Sequence, residues 1–253
     1  MASSLELPRY VTLKSVRNDL QRAVKSETPL HYGVRIEAEW EQVEKALTRC
    51  SKRVRLGHDA QTQELILKYM PSLVHETATQ VLTNLISMEY YTQQQHNILQ
   101  HCTPCGATRY KLNSKRVKEP NQSFSSNARQ IDALPMFVIE VGVSESYTQL
   151  KRDADWWLET GDVHIVILVI VQSAASKALS IEIWESTPSP QPPGAGDVPA
   201  FVARLRSGRL EYLQGQGAPS LVLNYADLGI PNIPGALTVP MAEWSTLVWA
   251  VLS

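Results

Sequence analysis

Apolar and polar residues alternate in a way that predicts a strand, a helix and a second strand in the middle of the chain. Residues 136 to 143 carry bulky branched side chains on both faces, which is typical of a central strand. Residues 146 to 160 have apolar side chains at helical spacing, and Gly161 suits the end of that helix. The apolar run from 163 to 171 predicts the second strand. This order is a βαβ unit, so we expect parallel strands and a right-handed crossover.

The preceding segments mix helical and strand-like patterns. Residues 34 to 49 have the apolar spacing of a helix, and the short runs 53 to 57 and 64 to 70 predict a β-hairpin. Apolar positions then recur at helical spacing from about Ser72, a plausible N-cap, to about Leu99. The alternating, basic residues 109 to 118 predict a strand or hairpin, followed by a polar loop at 125 to 134.

Beyond the βαβ unit, residues 179 to 185 alternate cleanly and predict a more exposed strand of the same sheet. The tail has strand-like stretches at 201 to 205 and 221 to 225 and a short helical pattern at 241 to 251. The predicted organisation is a helical flank (1–49), a core (50–186), a flexible or extended linker rich in Pro and Gly (187–199) and a C-terminal cap (200–253).

Composition narrows the class of protein. With 253 residues and 43% apolar residues, the chain can bury a sizeable core. Its 24 Lys and Arg nearly balance 25 Asp and Glu, which argues against a dedicated nucleic-acid binder but leaves room for a local basic patch. No apolar run approaches the ~20 residues that span a bilayer, and no secretory pattern is seen, so we expect no membrane span and a cytoplasmic or nuclear location.

Three cysteines are too few for a disulfide framework, so we expect them to be reduced. Cys102 and Cys105 follow His96 and His101, and such a cluster could supply zinc ligands. No second Cys or His pair follows at zinc-finger spacing. We therefore favour a turn after the long helix.

A second pattern concerns phosphodiester hydrolysis, which needs acidic oxygens converging on a hard cation and a lysine that orients water. Pro120-Asn121 precedes Glu140-Val141-Gly142 with 18 residues between Asn121 and Glu140. PD-(D/E)XK nucleases have an Asp after a Pro, then an acid-X-Lys strand some ten to thirty positions on. The spacing matches that pattern, whereas Asn121 and Gly142 depart from it.

Four segments, at 65 to 76, 118 to 124, 138 to 146 and 150 to 158, extend this resemblance over about residues 50 to 175. Together they resemble fungal relatives of a bacterial family of restriction-endonuclease-like proteins, here with a degenerate metal site. The resemblance implies an α/β (α+β) fold, in which a mixed sheet has flanking helices and a βαβ crossover.

The resemblance implies that Glu140 is the central carboxylate ligand and that the Val141 carbonyl is a further ligand. It also implies that Lys151 replaces the lysine missing at 142 and that Glu76 is the helix-borne acid. Asn121 keeps an oxygen ligand but removes one negative charge, so Mg²⁺ or Mn²⁺ would bind weakly. Two alternatives stay open: Glu76 could simply be solvated, and Glu140 could form a structural ion pair with Lys151 or Arg152.

Four more residues are weaker candidates. His75, next to Glu76, is a possible general base. Ser144 and Ser146 resemble the family's serines and are candidate substrate contacts, but Ser146 serves equally well as the N-cap of the next helix. Trp156 fits either the core or the wall of a hydrophobic pocket.

Three functions remain. The first is a repurposed small-molecule enzyme of the proton-transfer, isomerisation or cyclisation type, which binds an apolar ligand around Glu140 and Lys151 and needs no metal. The second is an Mg²⁺- or Mn²⁺-dependent DNA endonuclease. The third is a non-catalytic binding module, for which the residues predicted to reach nucleic acid are Lys111, Lys115, Arg116 and Lys118.

Overall fold

The computed structural model forms two compact units. Unit 1 comprises Met1–Ser72 and Arg109–Glu119, and unit 2 comprises Leu73–Thr108 and Pro120–Ser253. The structure describes residues 10–28, 30–51, 53–69, 72–95, 97–112, 116–127, 133–143, 146–172, 178–189, 201–206, 208–213, 217–230 and 233–252.

The elements in chain order are α1 (Leu13–Ser26), β1 (Leu30–Arg35), α2 (Trp40–Leu47), β2 (Val54–Asp59), β3 (Glu64–Tyr69), α3 (Leu73–Gln94), β4 (Cys102–Pro104), β5 (Tyr110–Lys111), β6 (Arg116–Lys118), β7 (Gln122–Ser126), β8 (Phe137–Val143), α4 (Tyr147–Leu158), β9 (Ile165–Val171), β10 (Ala178–Pro188), β11 (Phe201–Leu205), β12 (Leu210–Leu213), β13 (Leu221–Asn224), β14 (Ala236–Val239) and α5 (Ala242–Leu252). None of the helices in the described part of the chain has the length and apolar character that crossing a bilayer requires.

Unit 1 is an antiparallel sheet in the order β1-β3-β2-β6-β5 with two helices, α1 and α2, that share its core. The apolar side of α1 is formed by Val16, Leu20 and Ala23, all buried. The Thr12 hydroxyl caps α1 by accepting a hydrogen bond from the Ser15 N–H at 3.2 Å. The described residues of the second chain segment of this unit supply β5 and β6 to the sheet.

Unit 2 contains a mixed sheet in the order β11-β10-β9-β8-β7-β4, with β12 also paired to β10. Strands β8 and β9 are parallel and α4 connects them, whereas the other pairs are antiparallel. The predicted βαβ unit is therefore confirmed. The predicted fold class, α+β with a mixed sheet, flanking helices and a βαβ crossover, is also confirmed.

The two faces of this sheet bury different side chains. Ile139, Val141 and Ile167 belong to an apolar cluster that also includes residues of α3 and α5. Alternate residues of a strand point to opposite faces, so Val138, Glu140 and Gly142 belong to the other face. Helix α4 covers that other face, where Trp157 donates a hydrogen bond to Glu140.

Several elements differ from the sequence predictions. The helix predicted at 34 to 49 begins only at Trp40, because Val34 and Arg35 pair with Leu65 and Glu64 of β3. Helix α3 ends at Gln94 rather than near residue 99.

Two predicted irregular segments are strands. The turn expected at 102 to 105 contains β4, and the loop expected at 125 to 134 overlaps the end of β7; these two strands pair with each other. The predicted linker at 187 to 199 begins inside β10, and its residues from 190 lie outside the described residues.

Candidate functional site

Glu140 lies in the middle of β8 and is 1% exposed. Its Oε1 accepts a hydrogen bond of 2.7 Å from Nε1 of Trp157 on α4. A buried carboxylate requires such donors, because burial without hydrogen bonds costs several kcal/mol. The carboxylate predicted to be the central ligand is therefore held inside the interface between the helix and the sheet.

Asn121 precedes β7, and its Oδ1 accepts a hydrogen bond of 2.7 Å from the Val141 N–H. The pairing of β7 with β8 ends at Gln122 and Ile139, so Val141 lies beyond the end of this ladder. The buried amide of Asn121 thus satisfies a backbone donor that the sheet leaves unpaired. This is a structural role for Asn121, which was predicted to be a metal ligand.

Lys151 projects from α4 and binds within its own helix. Its Nζ lies 3.1 and 3.0 Å from the two carboxylate oxygens of Asp155 and 5.0 Å from the centre of the Trp184 ring. These are the partners that the structure gives Lys151 among the described residues. The structure does not bring this ammonium group to Glu140.

His75 and Glu76 lie in the first turn of α3. The side chain of Glu76 is 65% exposed, and its Oε1 is 3.8 Å from Nδ1 of the buried His75. Helix α3 packs on the sheet face opposite to the one that carries Glu140. The fold thus does not place the helix that bears Glu76 over the central carboxylate.

Three residues were predicted to contact substrate: Ser144, Ser146 and Trp156. Ser146 is the N-cap of α4, since its hydroxyl accepts a hydrogen bond of 3.3 Å from the Gln149 N–H. Trp156 is buried, as expected for a core residue. Ser144 lies outside the described residues. A role of these three residues in substrate binding stays a prediction.

The basic run at 109 to 118 is largely used inside unit 1. Arg116 pairs with Asp59 at 2.8 Å, and Lys118 is 2% exposed. Lys111 is exposed, and Lys115 lies outside the described residues. The prediction that these cations reach nucleic acid is therefore wrong for Lys118, which is buried in β6, an interior strand between β2 and β5.

A second buried carboxylate, Glu182 of β10, was not predicted. It is 2% exposed and accepts hydrogen bonds from Tyr147, Trp184 and Arg209 at 3.0, 2.8 and 2.8 Å. Its strand alternates between apolar and polar residues, which predicted a solvent-exposed polar face. The signal for burial is Trp184, a large aromatic residue on that same face.

Strand register relates the two carboxylates. Glu140 and Glu182 both pair with Leu168 of β9, so the three side chains form a row across one face. Strand spacing separates the two α-carbons by about 10 Å. Trp157 donates a hydrogen bond to Glu140, whereas Tyr147, Trp184 and Arg209 donate to Glu182.

Two of the groups that donate hydrogen bonds to Glu182 have shifted pKa values. Burial raises the pKa of Tyr147, and its hydrogen bond to Glu182 raises this pKa further. Burial acts to lower the pKa of Arg209, but the hydrogen bonds and charge interactions with Glu182 and Tyr147 together outweigh burial and raise the pKa above its ordinary value. The ring of Tyr147 also lies 4.8 Å from the Arg209 guanidinium carbon. Tyr147 therefore remains a neutral donor, and Arg209 remains a cation.

A divalent cation does not fit the predicted ligands. Within the part of the chain that the structure describes, no group of three or more His, Cys, Asp or Glu side chains could hold a metal. Oxygens of Asn121 and Glu140 already accept hydrogen bonds from Val141 and Trp157. Cys102 is a buried free cysteine, and burial raises the pKa of its thiol to about 12.

Comparisons with known proteins find a likeness among solved structures. No protein-family model matches the sequence, and a search of curated proteins found no match. The fold is similar to a crystal structure described as "a putative nuclease belonging to DUF820" from Anabaena variabilis, with a TM-score of 0.45 and 10% sequence identity. That likeness covers 78% of this chain and 91% of the other.

Proposed function

We propose that this protein is a nucleic-acid-binding module on a nuclease-like scaffold and that it does not hydrolyse phosphodiesters through a metal. The observation that carries the proposal is the internal use of the groups that would form the metal site. Asn121 binds the Val141 N–H, Glu140 binds Trp157, and Lys151 binds Asp155.

Metal-dependent hydrolysis needs oxygens that can exchange their partners for a cation. Mg²⁺ demands near-octahedral oxygen ligands and is reluctant to lose water. To reach such a cation, Glu140 would have to leave a hydrogen bond inside a packed interface, and Asn121 would contribute no negative charge. A cleft that transfers protons between Glu140 and Lys151 gains no support either, since Lys151 pairs with Asp155.

The distribution of charge supports a polyanionic partner. The balanced total conceals an asymmetry: unit 1 contains 17 Lys and Arg against 10 Asp and Glu, and unit 2 contains 7 against 15. The net charges are therefore +7 and −8. A compact unit with such a basic excess attracts phosphate backbones through counterion release.

Two measurements on the full chain test the proposal. The first follows nicking of supercoiled plasmid in Mg²⁺ or Mn²⁺ by the wild type, Asn121→Asp and Glu140→Ala. We expect no cleavage by the wild type. Wild-type cleavage that disappears with EDTA and with Glu140→Ala would establish the endonuclease alternative and refute the proposal.

The second measurement is anisotropy of a fluorescent DNA duplex titrated with the protein over a series of salt concentrations. We expect binding whose affinity falls steeply with salt, as phosphate contacts require. Absence of binding at low salt would also refute the proposal. The Asn121→Asp variant is informative in either case, since cleavage by this variant alone would mean that the asparagine removed an ancestral activity.

A further inference from the structure

Helix α1 of unit 1 carries a row of exposed cations. Lys14, Arg17, Arg22 and Lys25 are all exposed. Successive residues of an α-helix are rotated by about 100° around its axis. The four cations therefore lie within an arc of about 140° on one side of the helix. We call this surface the α1 basic face. It lies opposite the side of α1 that buries Val16, Leu20 and Ala23.

We propose that the α1 basic face is the surface that binds the phosphate backbone of duplex nucleic acid. The inference rests on the proposed function, and it replaces the 109 to 118 run as the predicted contact surface. The geometry fits: Lys14 and Lys25 are about 16 Å apart along the helix axis, a length over which one strand of a duplex carries about five phosphates.

Most of these cations remain available to a partner. Arg22 pairs with Asp19 of the same helix across an exposed contact. Such surface pairs contribute little free energy and exchange easily for phosphate. In contrast, Arg109 and Arg116 of the other basic run are held by Glu44, Glu119 and Asp59.

The side chains between the cations favour nucleic acid over a membrane surface. Ser15, Asn18 and Gln21 are exposed polar residues on α1, and such side chains bond phosphate and sugar oxygens. Interfacial helices instead insert an apolar face into lipid. The apolar side of α1 is buried in the core of unit 1 and cannot do so.

Unit 2 of a second copy is a poorer partner despite its negative charge. Several of its carboxylates already pair within the chain: Glu182 with Arg209, Asp155 with Lys151, and Glu185 and Asp227 with Arg206. Their charge is therefore partly neutralised before any partner arrives.

The test compares two charge-matched double variants of the full chain in the duplex titration. Lys14→Glu with Arg17→Glu changes the α1 basic face. An acidic residue at position 14, in the first turn of α1, is stabilising, and position 17 is exposed, so this variant should fold, which the thermal midpoint checks. Lys111→Glu with Arg204→Glu makes the same change in net charge at exposed positions on β5 and β11.

We expect the α1 variant to bind the duplex at least about tenfold more weakly at low salt and to lower the salt slope by about 2, while the control loses less than about twofold. Equal losses in both variants, or no loss in the α1 variant, would overturn the inference while leaving the proposed function intact. Failure of the wild type to bind duplex would refute both.

Vesicles that contain phosphatidylserine provide a further control. Wild-type binding to these vesicles without binding to duplex would assign the α1 basic face to lipid and would likewise overturn the inference.

Discussion

Replacing Arg209 by methionine removes the cation that pairs with the buried Glu182. Removing one partner of a buried ion pair costs about 3 to 5 kcal/mol. The side chain of Arg209 is 33% exposed, so water screens part of the interaction and we expect a loss of about 2 to 3 kcal/mol. Methionine keeps the aliphatic stem that packs beside Tyr147, so the loss reflects mainly the charge.

Urea unfolding of the wild type and variants measures this free energy. Arg209→Met leaves the Glu182 carboxylate buried without its cation. Adding Glu182→Gln in the same chain removes that buried charge and should recover at least about 1 kcal/mol of the free energy of unfolding. Arg204→Met on the neighbouring strand is the matched control, and exposed substitutions of this kind change stability by about 0.5 kcal/mol or less. The reasoning is wrong if Arg209→Met costs no more than this control or if the two substitutions are strictly additive.

Four other substitutions or reactions test separate features. Asn121→Ala should cost about 1 to 3 kcal/mol in urea unfolding, because it leaves the Val141 N–H unpaired; a neutral result would contradict the role given to Asn121. Ser146→Ala should cost about 1 kcal/mol and Ser146→Asp should restore it, if the hydroxyl acts as a cap. Burial raises the pKa of Cys102 to about 12, so this thiol should resist a disulfide reagent at pH 8 until the chain is unfolded; fast labelling of Cys102 in the native protein would refute its burial. Burial lowers the pKa of His58, so the unfolded chain binds the proton more readily and stability should fall as pH drops below about 6.5; His58→Phe should weaken this dependence, and an unchanged pH profile of the unfolding midpoint would count against it.

The βαβ unit was predictable because its two strands are buried on both faces. Residues 137–143 and 165–171 are therefore almost uninterrupted apolar runs, and the helix between them has a strong 3.6-residue period. Ser146 and Gly161 mark the limits of α4 well, since capping and a positive φ are local properties of the chain. The hairpin of β2 and β3 was also predictable, because two short β-like runs are separated by polar turn residues.

Features that depend on distant pairing were not predictable. Val34 and Arg35 fit a helical period, but hydrogen bonding to β3 makes them part of a strand. Glu182 alternates with apolar neighbours like a solvent-facing residue, yet Tyr147 and Arg209 enclose it from elsewhere in the chain. The charge asymmetry, by contrast, was readable from the sequence: residues 1–119 contain 17 Lys and Arg against 12 Asp and Glu, and residues 120–253 contain 7 against 13.

The discontinuity of unit 1 has a consequence for biosynthesis. Strand β2 is bordered by β3 on one side and by β6 on the other, and the pair Asp59 and Arg116 that joins β2 to β6 is separated by 57 residues of chain. A ribosome adding about 5 to 20 residues per second needs roughly 3 to 11 s to make that stretch. During this interval the edge of β2 that later pairs with β6 has no partner strand, and it is a site at which the nascent chain can pair with another chain.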